Sequence, residues 1–198
     1  MIQFYKPNAK VTGHACSFNY SEKDSCVYVN LIKQASWDDS KKRGTFGKNS
    51  KDPAKSCSFK LSDDEMCGII DAIRSNREFK IFHSSPNQKT MGSFKPYVRG
   101  EDQLGFGFSI NKQPKDGEKS SFFIGFNFGE AVKLEHYFSY CLAKIFQVLE
   151  KEQDAWKNKN GDQPKSKPKA APAKAPDPAP TQEEPDFNSQ ADSEVEDW

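Results

Sequence analysis

The chain has few of the residues that catalytic sites and disulfide scaffolds are built from. It holds 3 His and 5 Cys in 198 residues, and no cysteine pair has Cys-x-x-Cys spacing. The odd, scattered cysteines (Cys16, Cys26, Cys57, Cys67, Cys141) argue against a disulfide framework and for reduced thiols inside a cell. His14-x-Cys16 is the one close His/Cys pair and has no second pair at metal-ligand spacing, which speaks against zinc. There is no charged-then-apolar leader after Met1 and no apolar run of membrane-spanning length, so a soluble, cytoplasmic protein is expected, with no membrane partner. A phosphate-cradling Gly-x-x-x-x-Gly-Lys loop is also missing. His14, His83 and His136 stand isolated, and Asp63-Asp64-Glu65 is explained by helix capping. The expectation is a non-enzyme with no cofactor and no metal.

Net charge is also small, a formal +1, but it is unevenly spread. Residues 1–159 carry a net +6, residues 160–176 a net +3, and residues 177–198 a net −8 with no Lys or Arg. A basic body is therefore joined to an acidic tail. Between them lies a linker over 160–180 with six prolines set among Ala and Lys, a composition that makes a semi-extended coil. The tail, 181–198, is expected to be disordered, and it ends in Asp192, Glu194, Glu196, Asp197 and the aromatic Trp198. A basic body attracts polyanions, and a tethered acidic peptide either competes for the same surface or docks on another protein.

The body has a core to fill and an excess of rings to fill it, most of the 16 Phe and 6 Tyr lying there. Alternating or short apolar runs at 2–5, 14–20, 26–33 and 56–61 read as strands. They are followed by Ser62-Asp-Asp-Glu65, a capping box that opens a helix with Met66, Ile69, Ile70 and Ile73 on one stripe. The second part repeats the plan. Strands are expected at 79–83, 91–98, 104–110 and 122–128, then a helix from Gly129-Glu130 with Leu134, Phe138, Cys141/Leu142, Ile145 and Leu149 inward. Aligning Phe59 with Phe126 and allowing a two-residue gap, Glu followed by apolar residues at +4 and +8 recurs in both. The fold class is α+β, a duplicated ββββα unit with two antiparallel four-stranded sheets, each covered by a helix.

Two stretches combine cations with rings, the ingredients that hold a single nucleic-acid strand by its phosphates and its bases. The first is the connection over 37–55, net +3, with Lys41, Lys42, Arg43 and Lys48 around Phe46 in Arg43-Gly-Thr-Phe-Gly-Lys48. Either the flanking glycines swing Phe46 outward to stack on a base, or the ring tucks back onto the core beneath a solvated loop. The second is Ser93-Phe-Lys-Pro-Tyr-Val-Arg99, where alternation puts Lys95, Tyr97 and Arg99 on one face. Lys80 and Phe82 of the preceding strand extend that face, and Pro96 marks an edge or a bulge.

The ββββα repeat, with junctions Phe59-Lys-Leu-Ser-Asp-Asp-Glu65 and Phe126-Asn-Phe-Gly-Glu130, resembles the Whirly family and its shorter relatives among transcriptional coactivators and phage single-stranded-DNA-binding proteins. The Lys-Gly-Lys-Ala-Ala-Leu motif of the plant members is missing, so the resemblance is to a divergent, phage-type member, which would act in its host's cytoplasm. The Glu196-Asp197-Trp198 end is similar to the acidic, Phe-tipped tails of bacterial and phage single-stranded-DNA-binding proteins, with Trp in place of Phe. The resemblance implies sequence-tolerant binding of single strands across the sheets by a homo-oligomer, and replication or recombination proteins recruited through the tail. RNA on the same surface, or an adaptor working through its tail, are the alternatives.

Overall fold

In a computed structural model, which describes residues 1–160, the strands follow the alternation of the sequence. The first half runs β1 (Ile2–Lys6), β2 (His14–Ser21), β3 (Cys26–Lys33), a short ribbon of β4 (Ser36–Asp38) and β5 (Arg43–Thr45), β6 (Ser56–Leu61) and α1 (Asp63–Ser75). The second runs β7 (Phe79–Ser84), β8 (Gln88–Arg99), β9 (Asp102–Pro114), β10 (Ser120–Phe126) and α2 (Phe128–Asn160). The main strands form two four-stranded antiparallel sheets, ordered β1-β2-β3-β6 and β10-β9-β8-β7. The ribbon was not anticipated within the 37–55 connection. The acidic tail, with Asp192, Glu194, Glu196, Asp197 and Trp198, and the linker beyond Asn160 lie outside the described residues.

Phenylalanine joins the two sheets. Phe18, Phe94, Phe108, Phe122, Phe126 and Phe138 are fully buried, and rings meet between the sheets: Phe4 on Phe126 at 4.8 Å edge-on, Phe18 on Phe108 at 6.4 Å stacked. Removing one such ring typically costs about 3–5 kcal/mol through lost burial and the cavity left behind. The inner faces thus share one core, and the outer faces look away from it on opposite sides.

Helix α1 starts at the expected capping box. Glu65 N–H donates to Ser62 Oγ (3.2 Å) and Ser62 N–H donates to Glu65 Oε2 (2.9 Å). Helix α2 carries an equivalent box on Asn127, whose Oδ1 accepts from Glu130 N–H (2.8 Å) while Glu130 Oε2 accepts from Asn127 N–H (2.9 Å). The two junctions therefore match without a gap, Ser62 with Asn127 and Glu65 with Glu130, which corrects the gapped alignment on Phe59 and Phe126.

The expectation that each helix closes the sheet of its own half needs correcting for α1. Helix α1 packs chiefly on α2 and, among the strands, on β7 and β8, whereas α2 packs on β9 and β10 of its own half and also on β3. The contact with β7 is close. Gly68 of α1 lies so close to the Phe79 ring that a Cβ there would collide with it. Ties across the halves hold the arrangement: Lys6 Nζ of β1 donates to Glu130 Oε2 (2.6 Å), and Arg74 Nε of α1 donates to Glu135 Oε1 of α2 (2.7 Å), while His83 Nε2 of β7 stands 3.0 Å from Glu65 Oε1 without a hydrogen bond. The inward stripe of α2 ends at Ile145, and Leu149 is exposed. No helix among the described residues is long and apolar enough to cross a membrane.

Candidate nucleic-acid interface

The outer face of the second sheet is open, aromatic and basic. Strand register sets Lys80, Ser93, Ser109 and Phe123 in one row across the four strands, and Phe82, Met91, Asn111 and Ser121 in the next. Lys95 faces Gly107 and Gly125, and Tyr97 faces Gly105. Phe82 is 63% exposed, Met91 45%, Phe123 42% and Tyr97 38%, so these side chains offer free faces. Tyr97 and Phe123 form a pair at 5.5 Å, tilted by 56°. The pair leans over glycine, since a Cβ on Gly107 would stand 2.8 Å from Phe123 Cε2.

Strand β8 is an edge where it matters. Its pairing with β7 stops at Phe94, leaving the stretch with Lys95, Pro96, Tyr97 and Arg99 paired only with β9, which tolerates a proline. The bulge expected near Pro96 is in the partner strand. Tyr97 pairs with Gly105 and Val98 with Gln103, so the extra residue is Leu104, beside Gly105 at φ +136°. Strand β8 keeps its alternation, and Lys95, Tyr97 and Arg99 share a face.

Charge on this face is mostly uncompensated. Lys89, Lys95 and Arg99 form no ion pair among the described residues, and Lys80 has a loose one with Glu78 at 3.9 Å. The Ser93 hydroxyl donates to Glu78 Oε1 (2.6 Å) and, with Lys80 and Lys95 nearby, holds the Glu78 carboxyl below its ordinary range. Glu78 is therefore anionic at neutral pH, a local brake on the cationic field.

The other residues singled out in the sequence lie on the opposite side of the core, on the ribbon over the outer face of the first sheet and, for Phe46 and Lys48, on the turn that follows it. Lys41, Lys42, Arg43 and Lys48 are exposed. Lys41 meets Asp38 at 3.9 Å and Lys42 meets Asp39 at 3.6 Å, exposed pairs that solvent and salt screen. Phe46 does not swing outward. It is buried, with Tyr5 at 5.8 Å, because the chain is folded back at both of its ends. Ala35 N–H donates to Thr45 O (2.7 Å), and the buried Asn49 amide donates to Lys33 O and Gln34 O. The buried Gln34 side chain completes the anchor, accepting from Asn8 and Gly13 N–H and donating to Asn8 O and Ser36 O.

Sequence reasoning missed Phe123, Met91, Lys89 and Tyr5. The signal for Phe123 was available, since placing Phe122, Ile124 and Phe126 inward puts Phe123 outward by alternation.

No protein-family model matches the chain, and no curated protein sequence does. Solved structures with a similar fold include WHY1 from Arabidopsis thaliana, with a TM-score of 0.53 and 14% identity over 80% of this chain and 93% of that one. The plant transcriptional regulator PBF-2 is similar too, with a TM-score of 0.53 and 16% identity over 81% of this chain and 88% of that one. The fold is Whirly-like.

Proposed function

We propose that the chain is a sequence-tolerant single-stranded-DNA-binding protein of the phage type, coating strands during DNA replication, recombination or repair by binding alone. The observation that carries this reading is the open face of the second sheet, where Tyr97, Phe123, Phe82 and Met91 lie exposed among Lys80, Lys89, Lys95 and Arg99. Bases stack on such rings for about 1–3 kcal/mol each, and cations beside them follow the phosphates. Duplex DNA hides its base faces and gains only the charge contacts. We read the body as a duplicated ββββα unit, supported by the ungapped match of the two capping boxes.

Two further parts complete the proposal. The acidic tail competes with the strand for the basic body when DNA is scarce and recruits replication or recombination proteins when DNA displaces it, in keeping with the net −8 of residues 177–198 and the terminal Trp198. The protein self-associates, a reading supported by the exposed Phe146 and Leu149 of α2 beside the groove that α1 and α2 form around Cys67, Ile70 and Leu142.

The test is binding of fluorescent poly-dT as salt is varied, with duplex DNA and RNA of equal length as competitors. The expected result is a log–log salt slope near −0.7 per phosphate contact for about 4–6 contacts, with ring-fluorescence quenching and poor duplex competition. Equal or better competition by RNA would move the substrate to RNA. Failure of both the full chain and a form ending at residue 176 to bind any strand would overturn the proposal in favour of a tail-borne adaptor.

A further inference from the structure

We infer that the groove beneath the β4–β5 ribbon is a nucleotide pocket, in which one base of a bound single strand lies on Tyr5 and turns its edge to Asn30 and Ser17. Arg43 and Lys42 take the adjoining phosphate. This rests on the proposed function and adds to it a second, base-reading surface on the far side of the core from Tyr97 and Phe123.

Size and shape come first. The groove encloses about 690 Å³ between the ribbon and the outer face of the first sheet and is open along one side. Its roof is pinned at its base by the saturated Gln34 side chain and the two hydrogen bonds donated by the Asn49 amide, so the groove is formed before any ligand arrives. Its wall is aromatic. Tyr5 is 55% exposed, leans on the buried Phe46 ring, and donates its hydroxyl to Gln3 Oε1 (2.7 Å), which fixes the ring while leaving a face free.

The floor supplies the chemistry of recognition. Register lines up Gln3, Ser17 and Asn30 across β1, β2 and β3. The Ser17 hydroxyl and the Asn30 amide make no hydrogen bond among the described residues, although both are half-buried. Such groups lose hydration beneath a ligand and favour one that returns their hydrogen bonds. An amide offers a donor and an acceptor side by side, the pattern that pairs with the edge of a nucleobase. No acidic side chain lines the groove, and its lip holds Lys42 and Arg43, of which Arg43 has no ion-pair partner among the described residues. Aromatic wall, unmet polar floor and cationic lip together match the base, edge and phosphate of one nucleotide.

The full chain is irradiated with oligo-dT carrying iodouracil, and crosslinks are mapped by mass spectrometry. Affinities for dT, dC and dA homopolymers of equal length are measured in parallel for the wild type and for Asn30→Ala, a substitution on the outer face away from the core. The pocket predicts a crosslink at Tyr5 and a wild-type spread among homopolymers of about threefold or more, falling to within about twofold in Asn30→Ala. Crosslinks confined to Tyr97 and Phe123, or a spread that Asn30→Ala leaves unchanged, would overturn the pocket while leaving the proposed function standing. Absence of any strand binding by the wild type would remove the proposed function itself.

Discussion

The two strand-to-helix junctions of this protein are built alike, whereas the two outer sheet faces are not. Ser62 and Asn127 cap their helices through the same reciprocal bonds to Glu65 and Glu130, and each glutamate also meets a basic side chain from the other half, His83 or Lys6. The second sheet leaves Tyr97, Phe123 and Phe82 open over glycine and serine, while the first carries Gln3, Ser17 and Asn30 under a ribbon. The difference teaches where constraint lies. Four orphan N–H groups at a helix start must be satisfied wherever a helix begins, but a face turned to solvent answers only to what binds it.

The largest expected effect comes from breaking the seam on which both halves depend. Phe4→Ala removes the ring packed on Phe126 at 4.8 Å and should lower unfolding stability by about 3–5 kcal/mol in urea melts, with one transition for the whole body. Two separated transitions would mean that the halves fold independently.

Next comes the contrast between the faces. Replacing Tyr97 and Phe123 together by Ala should weaken poly-dT binding by about 1–3 kcal/mol per ring with little change in melting temperature, since both lie outside the core. Unchanged binding would mean that the aromatic face is not the strand's platform. The likeness of the junctions is tested by Ser62→Ala and Asn127→Ala, each expected to cost about 1 kcal/mol in urea melts. A clearly larger loss for one of them would show that its helix leans more heavily on its cap.

The smallest effect concerns pH. Burial, and then the charge of Lys33, push the His14 imidazole below its ordinary range, and its Nε2 is buried without a hydrogen-bond partner. The unfolded chain takes up the proton more readily than the folded one. The stability from keeping His14 neutral is therefore full above about pH 6.5 and is lost as pH falls through the lowered value. The drop in melting temperature between about pH 7.5 and pH 5.5 should shrink in His14→Gln; an equal drop would assign the acid sensitivity to other groups.

Much of this architecture was legible in the residues, for identifiable reasons. Alternation located the eight main strands because side chains on a strand must take opposite faces, and it placed Lys95, Tyr97 and Arg99 together. The Ser-x-x-Glu box located α1 to the residue because capping is local chemistry. Phe46 was ambiguous, since its direction depends on Gln34 and Asn49, whose partners lie up to 26 residues away in the chain. Leu149 fitted the stripe of α2 but is exposed, because periodicity cannot tell where the surface beneath a helix ends.

Period, caps and charge, all properties of neighbours along the chain, were determined by the sequence itself: two sets of four strands, two helices, and a basic body followed by an acidic end. Only the tertiary structure decided that α1 packs on the second half's helix and strands, that the ribbon roofs a groove on one face, and that the other face stays open. Those outcomes depend on which distant surfaces meet, and a pattern of polar and apolar residues specifies a face to be buried without naming what will cover it.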